Sequence, residues 1–260
     1  MSVKFYSLFY FGHTVTEDNR YIDFKEGVDT FVAVLPIGAF TLTKYLEVAA
    51  QAMNDVGAFT YTFSVNRSTR IVTLTSSSAF DLLGATGDNA GQSALPMLGI
   101  AQSDFLAVTS VVGTSASGSS YSPQYPLQDF IPTTNSKRAL SATVAVSASG
   151  NKVSVQSFGE ERFMKSNIKW VTNIAQGSGS KIRNDTSAVE NLIAFLEYAI
   201  TKAPIEFMQN ESDTSTFERL VLWSTQSNSD GTGYELREYY DKDLADWFES
   251  GPLNFKKIEE

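Results

Sequence analysis

Two parts of the chain combine the alternating apolar and polar positions of β-strands with one stretch of helical periodicity each. In the first part, apolar residues recur at three- and four-residue spacing in LTKYLEVAAQAMNDV, which predicts an amphipathic helix opened by Thr41 or Thr43 and closed near Gly57. The alternation in FTYTFSV and RIVTLT, with turn residues at 66–69, predicts a hairpin after this helix. The runs SLFYFGHTV, NRYIDFKEG and FVAVLPIGAF predict strands before it.

The second part begins with KRALSATVAVSASGNKVSVQSF, whose alternation around turn residues 149–151 predicts an antiparallel hairpin. A helix is predicted over SAVENLIAFLEYAITK, with Ser187 and Glu190 as a capping box and Pro204 after its end. Strands are predicted in FMKSNIKWVTNI before the helix and in PIEFM, RLVLWS, YELREYY and PLNFKKI after it. The expected fold class is α+β, mainly antiparallel β, with two modules that each pack one amphipathic helix on a sheet.

A segment of low charge separates the two modules, because no Lys or Arg occurs between Arg70 and Lys137. It is rich in Ser, Gly, Ala and Thr, with short apolar islands. Two interpretations stay open: an extended arm that packs on a neighbouring subunit, or ordinary loops and short strands. The predicted organisation is residues 1–75 as a strand, helix and hairpin module, 76–135 as this segment, and 136–260 as a β-rich module with one helix.

The apolar islands of the low-charge segment provide the candidate subunit interface. Aromatic and aliphatic residues with few charges around them are typical of the centre of a protein interface. The candidate residues are Phe105, Leu106, Val111, Val112, Tyr121, Tyr125 and Phe130.

The composition limits the chemistry that this chain can perform. Its 260 residues contain no cysteine and a single histidine, His13, which excludes disulfides, thiolate metal sites and multi-histidine zinc sites. We interpret His13, in a predicted strand, as a partly buried or surface histidine rather than a base. Asp23, Glu26 and Asp29 are spread over a strand and a turn, so we expect solvated carboxylates there. GATGDNAG lacks the lysine of a phosphate-binding loop, and we expect no catalytic residue, metal or cofactor.

The charge and the hydropathy pattern bear on partners and location. The net charge of −9 and the pI near 4.7 argue against specific nucleic-acid binding, which depends on Lys and Arg. The start MSVKFYSLFYFGH lacks a small-residue cleavage site, and no apolar run is long enough to span a membrane. We therefore expect a protein made in a cytoplasm, without a membrane partner.

Patterns of apolar and turn residues extend over most of the chain. The first half contains LFYFGHTVTEDNRYIDFKEG, an L-P-x-G-x-x-T-L turn into the helix, then YTFSVNRSTRIVTL, FDLLGATGDNAG and LPMLGIA. The second half contains FGEERFMKSNIKWVTNI, AVENLIAFLEYAITKAPIEFM and YELREYYDKDLADWFESGPLNF. Together these patterns resemble structural virion proteins of tailed bacteriophages, especially those with long contractile tails.

The resemblance implies a non-enzymatic subunit of the virion tail, made in the host cytoplasm. It would form a ring at the tail tube or its baseplate end, through which DNA is ejected. Contractile-tail tubes in the resembled group are hexameric, so the expected partners are five further copies and neighbouring tail or neck proteins. Such a subunit needs a sheet that continues into its neighbours, strand edges that pair between subunits, and an arm. An acidic wall suits a DNA conduit because it does not hold phosphates.

Two alternatives stay open at this point. Within the same class, the chain could be a neck or collar subunit that connects head and tail. In another class, it could be a carbohydrate-active tail component that uses Glu160, Glu161 or the acidic group at 241–246, with Trp170, Trp223 or Trp247 in a sugar groove. Glycoside hydrolases need two carboxyl groups at a set separation, which spacing along a sequence does not establish.

Overall fold

The structure is a computed structural model that describes residues 8–121, 133–146, 152–167, 192–210, 212–225, 232–234, 237–239, 247–249 and 251–258. These residues form antiparallel sheets and two α-helices, so the α+β prediction is confirmed. Neither helix in the described residues is long and apolar enough to cross a membrane. The elements are β1 Leu8–Phe11, β2 His13–Val15, β3 Tyr21–Glu26, β4 Asp29–Val34, β5 Gly38–Phe40, α1 Leu42–Val56, β6 Tyr61–Asn66, β7 Ile71–Leu83, a 3-10 helix Ala90–Gln92, β8 Asp104–Val112, β9 Ser119–Tyr121, β10 Thr133–Val146, β11 Lys152–Asn167, α2 Leu192–Ile200, β12 Ile205–Met208, β13 Glu218–Thr225, β14 Arg237–Tyr239, β15 Trp247–Glu249 and β16 Pro252–Lys257.

The first body is a five-stranded sheet covered on one face by α1. Its strand order is β4, β3, β7, β6, and β8 runs along the other side of β7. β7 is 13 residues long, so its first half pairs with β6 and its second half with β3. Because α1 packs against both β4 and β6, it spans the sheet.

α1 begins and ends where its sequence predicts. Thr41 is the N-cap, and its side chain accepts a hydrogen bond from the Lys44 backbone nitrogen at 3.3 Å. Gly57 follows the last turn, and its N–H donates to the Met53 carbonyl at 2.9 Å. Val56, the last apolar residue of the predicted helix, is 41% exposed. The buried residues of α1 are Leu42, Tyr45, Leu46, Ala49, Ala52 and Met53.

The low-charge segment contributes to the core of the first body. Of the two interpretations, its described residues follow the second, because they form loops and strands rather than an extended arm. The predicted boundary at residue 75 falls inside β7, which continues to Leu83. The buried apolar residues of this segment in the first core are Phe80, Leu82, Ala94, Leu95, Leu98, Ile100 and Val111.

The second body is a seven-stranded sheet in the order β10, β11, β16, β13, β12, β1, β9. β1 and β9 come from the N-terminal half, so this sheet is not built from the C-terminal module alone. Gly12, with φ +96°, ends β1, and β2 then pairs with β5 outside this sheet. Phe9 on β1 lies at the centre of the core, with its ring 4.7 Å from Phe195 on α2 and 5.0 Å from Phe207 on β12.

A buried ion pair connects the two bodies. Arg67, in the turn after β6, pairs with Glu206 on β12, whose side chain is completely buried. Glu206 also accepts hydrogen bonds from the backbone nitrogen and hydroxyl of Thr43, at 2.8 and 2.9 Å, in the first turn of α1. The Arg67 guanidinium lies 3.9 Å from the Phe217 ring centroid and donates to the Thr214 carbonyl at 2.6 Å. These contacts fix α1 and the β6–β7 hairpin to the second sheet.

β10 and β11 form a hairpin that extends beyond the rest of the second sheet. They pair from Thr133↔Lys165 to Val146↔Lys152, whereas β11 pairs with β16 only through residues 163–167. Residues 136–146 of β10 and 152–162 of β11 therefore form a two-stranded segment, which we call the ribbon. At about 3.4 Å per residue its length is roughly 35 Å. The sequence predicts this hairpin, although β11 runs on to Asn167 as one strand.

Candidate subunit interface

The carboxylates near the N-terminus have structural partners. Asp23 accepts hydrogen bonds from the backbone and side-chain nitrogens of Asn89, at 2.6 and 2.9 Å. Glu26 accepts from two backbone N–H groups after α1 and from the Tyr61 hydroxyl at 2.9 Å. Both side chains are buried, so the expectation of solvated carboxylates is wrong for them and holds for the exposed Asp29. Each of the two stabilises the backbone of a different loop.

His13 is fully buried rather than at the surface. Its Nε2 lies 3.2 Å from the Ser117 hydroxyl, which itself donates to the Met97 carbonyl at 2.8 Å. Ser117 therefore accepts from His13, which assigns the proton to Nε2, and Nδ1 has no hydrogen-bond partner among the described residues. Burial, and then the nearby Arg70 charge, lower the pKa of His13 to about 3. The ring is thus neutral at physiological pH and enclosed by the protein.

A surface groove of about 500 Å³ lies near this histidine. Gly118 lines the groove and also contacts the His13 ring, since a Cβ at Gly118 would overlap it. Asp18 is the one charged residue of the lining, together with polar residues such as Asn19 and Gln102. The described residues hold no cluster of three His, Asp or Glu that could bind a metal ion. The groove therefore presents one carboxylate, whereas a glycoside hydrolase needs two.

The acidic residues of the carbohydrate alternative lie elsewhere. In the ribbon, the register places Glu160 opposite Arg138 and Glu161 opposite Lys137. Each acidic residue therefore faces a basic position rather than a second acid. The acidic group at 241–246 and Trp170 lie outside the described residues, and of Trp247 only the backbone is described. Trp223 is half exposed on β13, with the Lys256 ammonium 5.1 Å from its ring centroid.

The candidate interface residues separate into exposed and buried side chains. Leu106 and Val112 on β8 are 65% and 57% exposed, and Phe105 is partly buried against the first core. Val111 is buried in that core. Tyr121 is buried in the second core, where its ring stacks on Phe195 at 5.0 Å. Val111 and Tyr121 are therefore corrected to core residues, because alternation along their strands turns them inward. Tyr125 and Phe130 lie outside the described residues.

The outer edge of β10 is a further interface candidate, outside the residues predicted from the sequence. The signal was present, because ALSATVAV over residues 139–146 combines high β-propensity with neither a charge nor a proline. β10 is the last strand of the second sheet and pairs with β11 alone among the described residues. An unpaired strand edge of this length is a ready site for a strand from another chain.

Comparisons with known proteins found no match from which a function could be inferred. No protein-family model matches the chain, and no curated protein matches it either. The class that the fold defines is an α+β protein of two helix-covered antiparallel sheets, joined by a buried ion pair and extended by a ribbon.

Proposed function

We propose that this chain is a non-enzymatic structural subunit of a bacteriophage virion, located in the tail. It assembles with copies of itself into a ring of six at the tail tube or its baseplate end, next to other tail proteins. The ring is a conduit for DNA ejection. The ribbon is the single observation that supports this proposal most strongly.

The ribbon favours assembly because neither of its edges pairs with a further strand of the described residues. A two-stranded antiparallel segment is at best marginally stable alone in water, and further strands or a packed face stabilise it. Over residues 152–162, β11 has no second neighbour in the described part of the chain, and β10 has none along its whole length. A neighbouring subunit would supply the missing partner, as a ring subunit requires.

The contact between the two bodies also supports a ring subunit. A closed ring needs each subunit to hold its two contact surfaces at a fixed angle. The Arg67 and Glu206 pair, with the Thr43 contacts, holds the first sheet against the second. The net charge of −9 agrees with a conduit that does not retain DNA.

The test is the mass of the purified protein in solution across a range of concentrations, with electron microscopy of large species. We expect a discrete species of six times the chain mass of 28.5 kDa, visible as a ring. A variant with residues 136–162 replaced by a short turn should stay monomeric. A monomer at every concentration would contradict self-assembly and favour the neck or collar alternative. Hydrolysis of host polysaccharide that is lost in Glu160→Gln would contradict the non-enzymatic assignment.

A further inference from the structure

We infer that the free edge of β8 in one copy pairs with the free edge of β10 in a second copy, so that the five-stranded sheet of one subunit continues into the seven-stranded sheet of the next. This inference rests on the proposed self-assembly and names the two strands that perform it. It concerns 108–112 on β8 and 139–146 on β10.

The edge of β8 is open along residues 108–112, where its pairing with β7 changes register between Val108 and Ser110. β8 pairs with β7 on one side, and no strand of the described residues pairs on its other side. Residues 108–112 have the sequence VTSVV, without charge or proline, and Thr109, Ser110 and Val112 are exposed. Natural edge strands usually carry a lysine, a proline or another feature that prevents pairing with a second chain. Neither a lysine nor a proline occurs in 108–112.

The other edges of these two sheets are protected. On β6, the side chain of Asn54 from α1 accepts from the Tyr61 backbone nitrogen at 2.7 Å and donates to the Tyr61 carbonyl at 3.0 Å. β4 begins at the exposed carboxylate of Asp29 and packs against α1. β9 at the far end of the second sheet has three residues. Because the other three edges are protected, we expect the two open edges to pair with another chain.

The edge of β10 matches that of β8 in composition. Residues 139–146 contain no charged residue and no proline, although Lys137 and Arg138 precede them directly. They pair with the part of β11 that has no contact with β16. A third strand on this side would turn the two-stranded ribbon into a sheet, which is the smallest stable antiparallel unit.

Pairing of two different edges also explains a closed assembly. Each copy offers one β8 and one β10, so the contact is head to tail and repeats around a ring. Pairing of β8 with β8 would instead be isologous and would end at a dimer.

The outer face beside Ser110 carries hydroxyl side chains, and the charged Asp81 lies towards the end of β7. Thr62 on β6 lies opposite Thr75 on β7, with their hydroxyls 2.6 Å apart, and Thr75 lies opposite Ser110 on β8. A partner on this face would be an alternative to a partner on the edge. Thr62 is on the face but belongs to the protected strand, which makes it a control position.

The first test compares Val112→Lys with Thr62→Lys by light scattering. A lysine on an edge strand opposes pairing with a second strand, so Val112→Lys should raise the concentration for half assembly by about tenfold or more. Thr62→Lys should leave it unchanged. Equal loss of assembly in both variants would overturn edge pairing in favour of a face contact. Rings of Val112→Lys at the wild-type concentration would overturn this inference and leave the proposed function standing.

The second test uses the absence of cysteine from the natural chain. Ser110→Cys is combined with one cysteine at each position from 139 to 146 in turn, and the assembled protein is oxidised. The inference expects covalent species larger than a dimer for the positions in register. Dimers from Ser110→Cys alone would overturn it in favour of pairing between two β8 strands. Intact rings without any crosslink would overturn the strand assignment only, whereas a monomeric protein would overturn the proposed self-assembly as well.

Discussion

The stability of this protein should decrease as the pH falls below the ordinary pKa of histidine, because of one residue. His13 is the sole histidine, and its side chain is completely buried in the folded protein. Its pKa is lowered from 6.5 to about 3, first by burial and then by the charge of Arg70. Between these two values the unfolded chain binds a proton at this position and the folded chain does not. Acid therefore favours unfolding, and the stability is fully present only above the unfolded value.

The size of the effect follows from the two pKa values. Well below the unfolded pKa, one proton taken up on unfolding changes the free energy of unfolding by about 1.4 kcal/mol per pH unit. Between about pH 7.5 and about pH 5, the free energy of unfolding should decrease by about 2 kcal/mol from His13 alone. A loss of this size is a large part of the stability of an ordinary domain, which is about 5–15 kcal/mol.

The assay is urea unfolding at several pH values, with linear extrapolation to water, under conditions where the protein mass stays constant. His13→Gln is the matched variant, because it cannot titrate. Its stability should be lower at about pH 7.5 and should change by about 2 kcal/mol less than wild type on going to about pH 5. Equal pH dependence of the two proteins would refute the reasoning, as would an NMR titration in which the His13 ring protonates at its ordinary pKa.

Two further substitution pairs test the contacts inside the chain, each by the urea midpoint. Arg67→Ala removes the cation beside the buried Glu206 and should lower the free energy of unfolding by about 3 kcal/mol. Lys44→Ala removes a solvent-exposed ion pair at 3.3 Å and should change it by less than about 0.5 kcal/mol. Comparable effects would show that the buried pair is not a fixed contact. Gly87→Ala places a Cβ against a buried carboxylate and should destabilise by about 1–3 kcal/mol. Gly91→Ala meets nothing within 4 Å and serves as its control.

The sequence predicts well those elements of the fold that are determined by residues close together in the chain. The bounds of α1 are determined by its N-cap, its apolar spacing and a glycine, all within one stretch of chain. The β6 and β7 hairpin is likewise determined by alternation around a short turn. Each of these features depends on neighbours along the sequence, so a single sequence contains them.

Which strands pair in one sheet depends on contacts between residues that are far apart in the sequence. β1 precedes the first body along the chain but pairs with β12 and β9 in the second. The burial of Asp23 and Glu26 also depends on loops more than 30 residues away, which supply their N–H donors. Alternation along β3 could not reveal this, because both faces of the strand are covered.

The candidate interface was predicted from apolar composition, which does not distinguish core from surface. Val111 and Val112 are neighbours of the same type, yet one is 2% and the other 57% exposed. The direction of the side chains is determined by the register with β7, which the sequence does not contain. The uncharged run at 139–146 marks β10 as a candidate in the sequence, but that its outer edge has no partner strand follows only from the strand order.

The two open edges also restrict how the free subunit can exist. An exposed, uncharged strand edge is a site of aggregation unless a partner occupies it. Among the described residues, β6 and β4 are protected, β9 is short, and the outer edges of β8 and β10 have no partner strand. A subunit with both edges open gains most from a partner that covers both at once, which is what a closed ring provides and a dimer does not. If the edges pair in this way, the contact that assembles the ring is also the contact that prevents aggregation of the subunit.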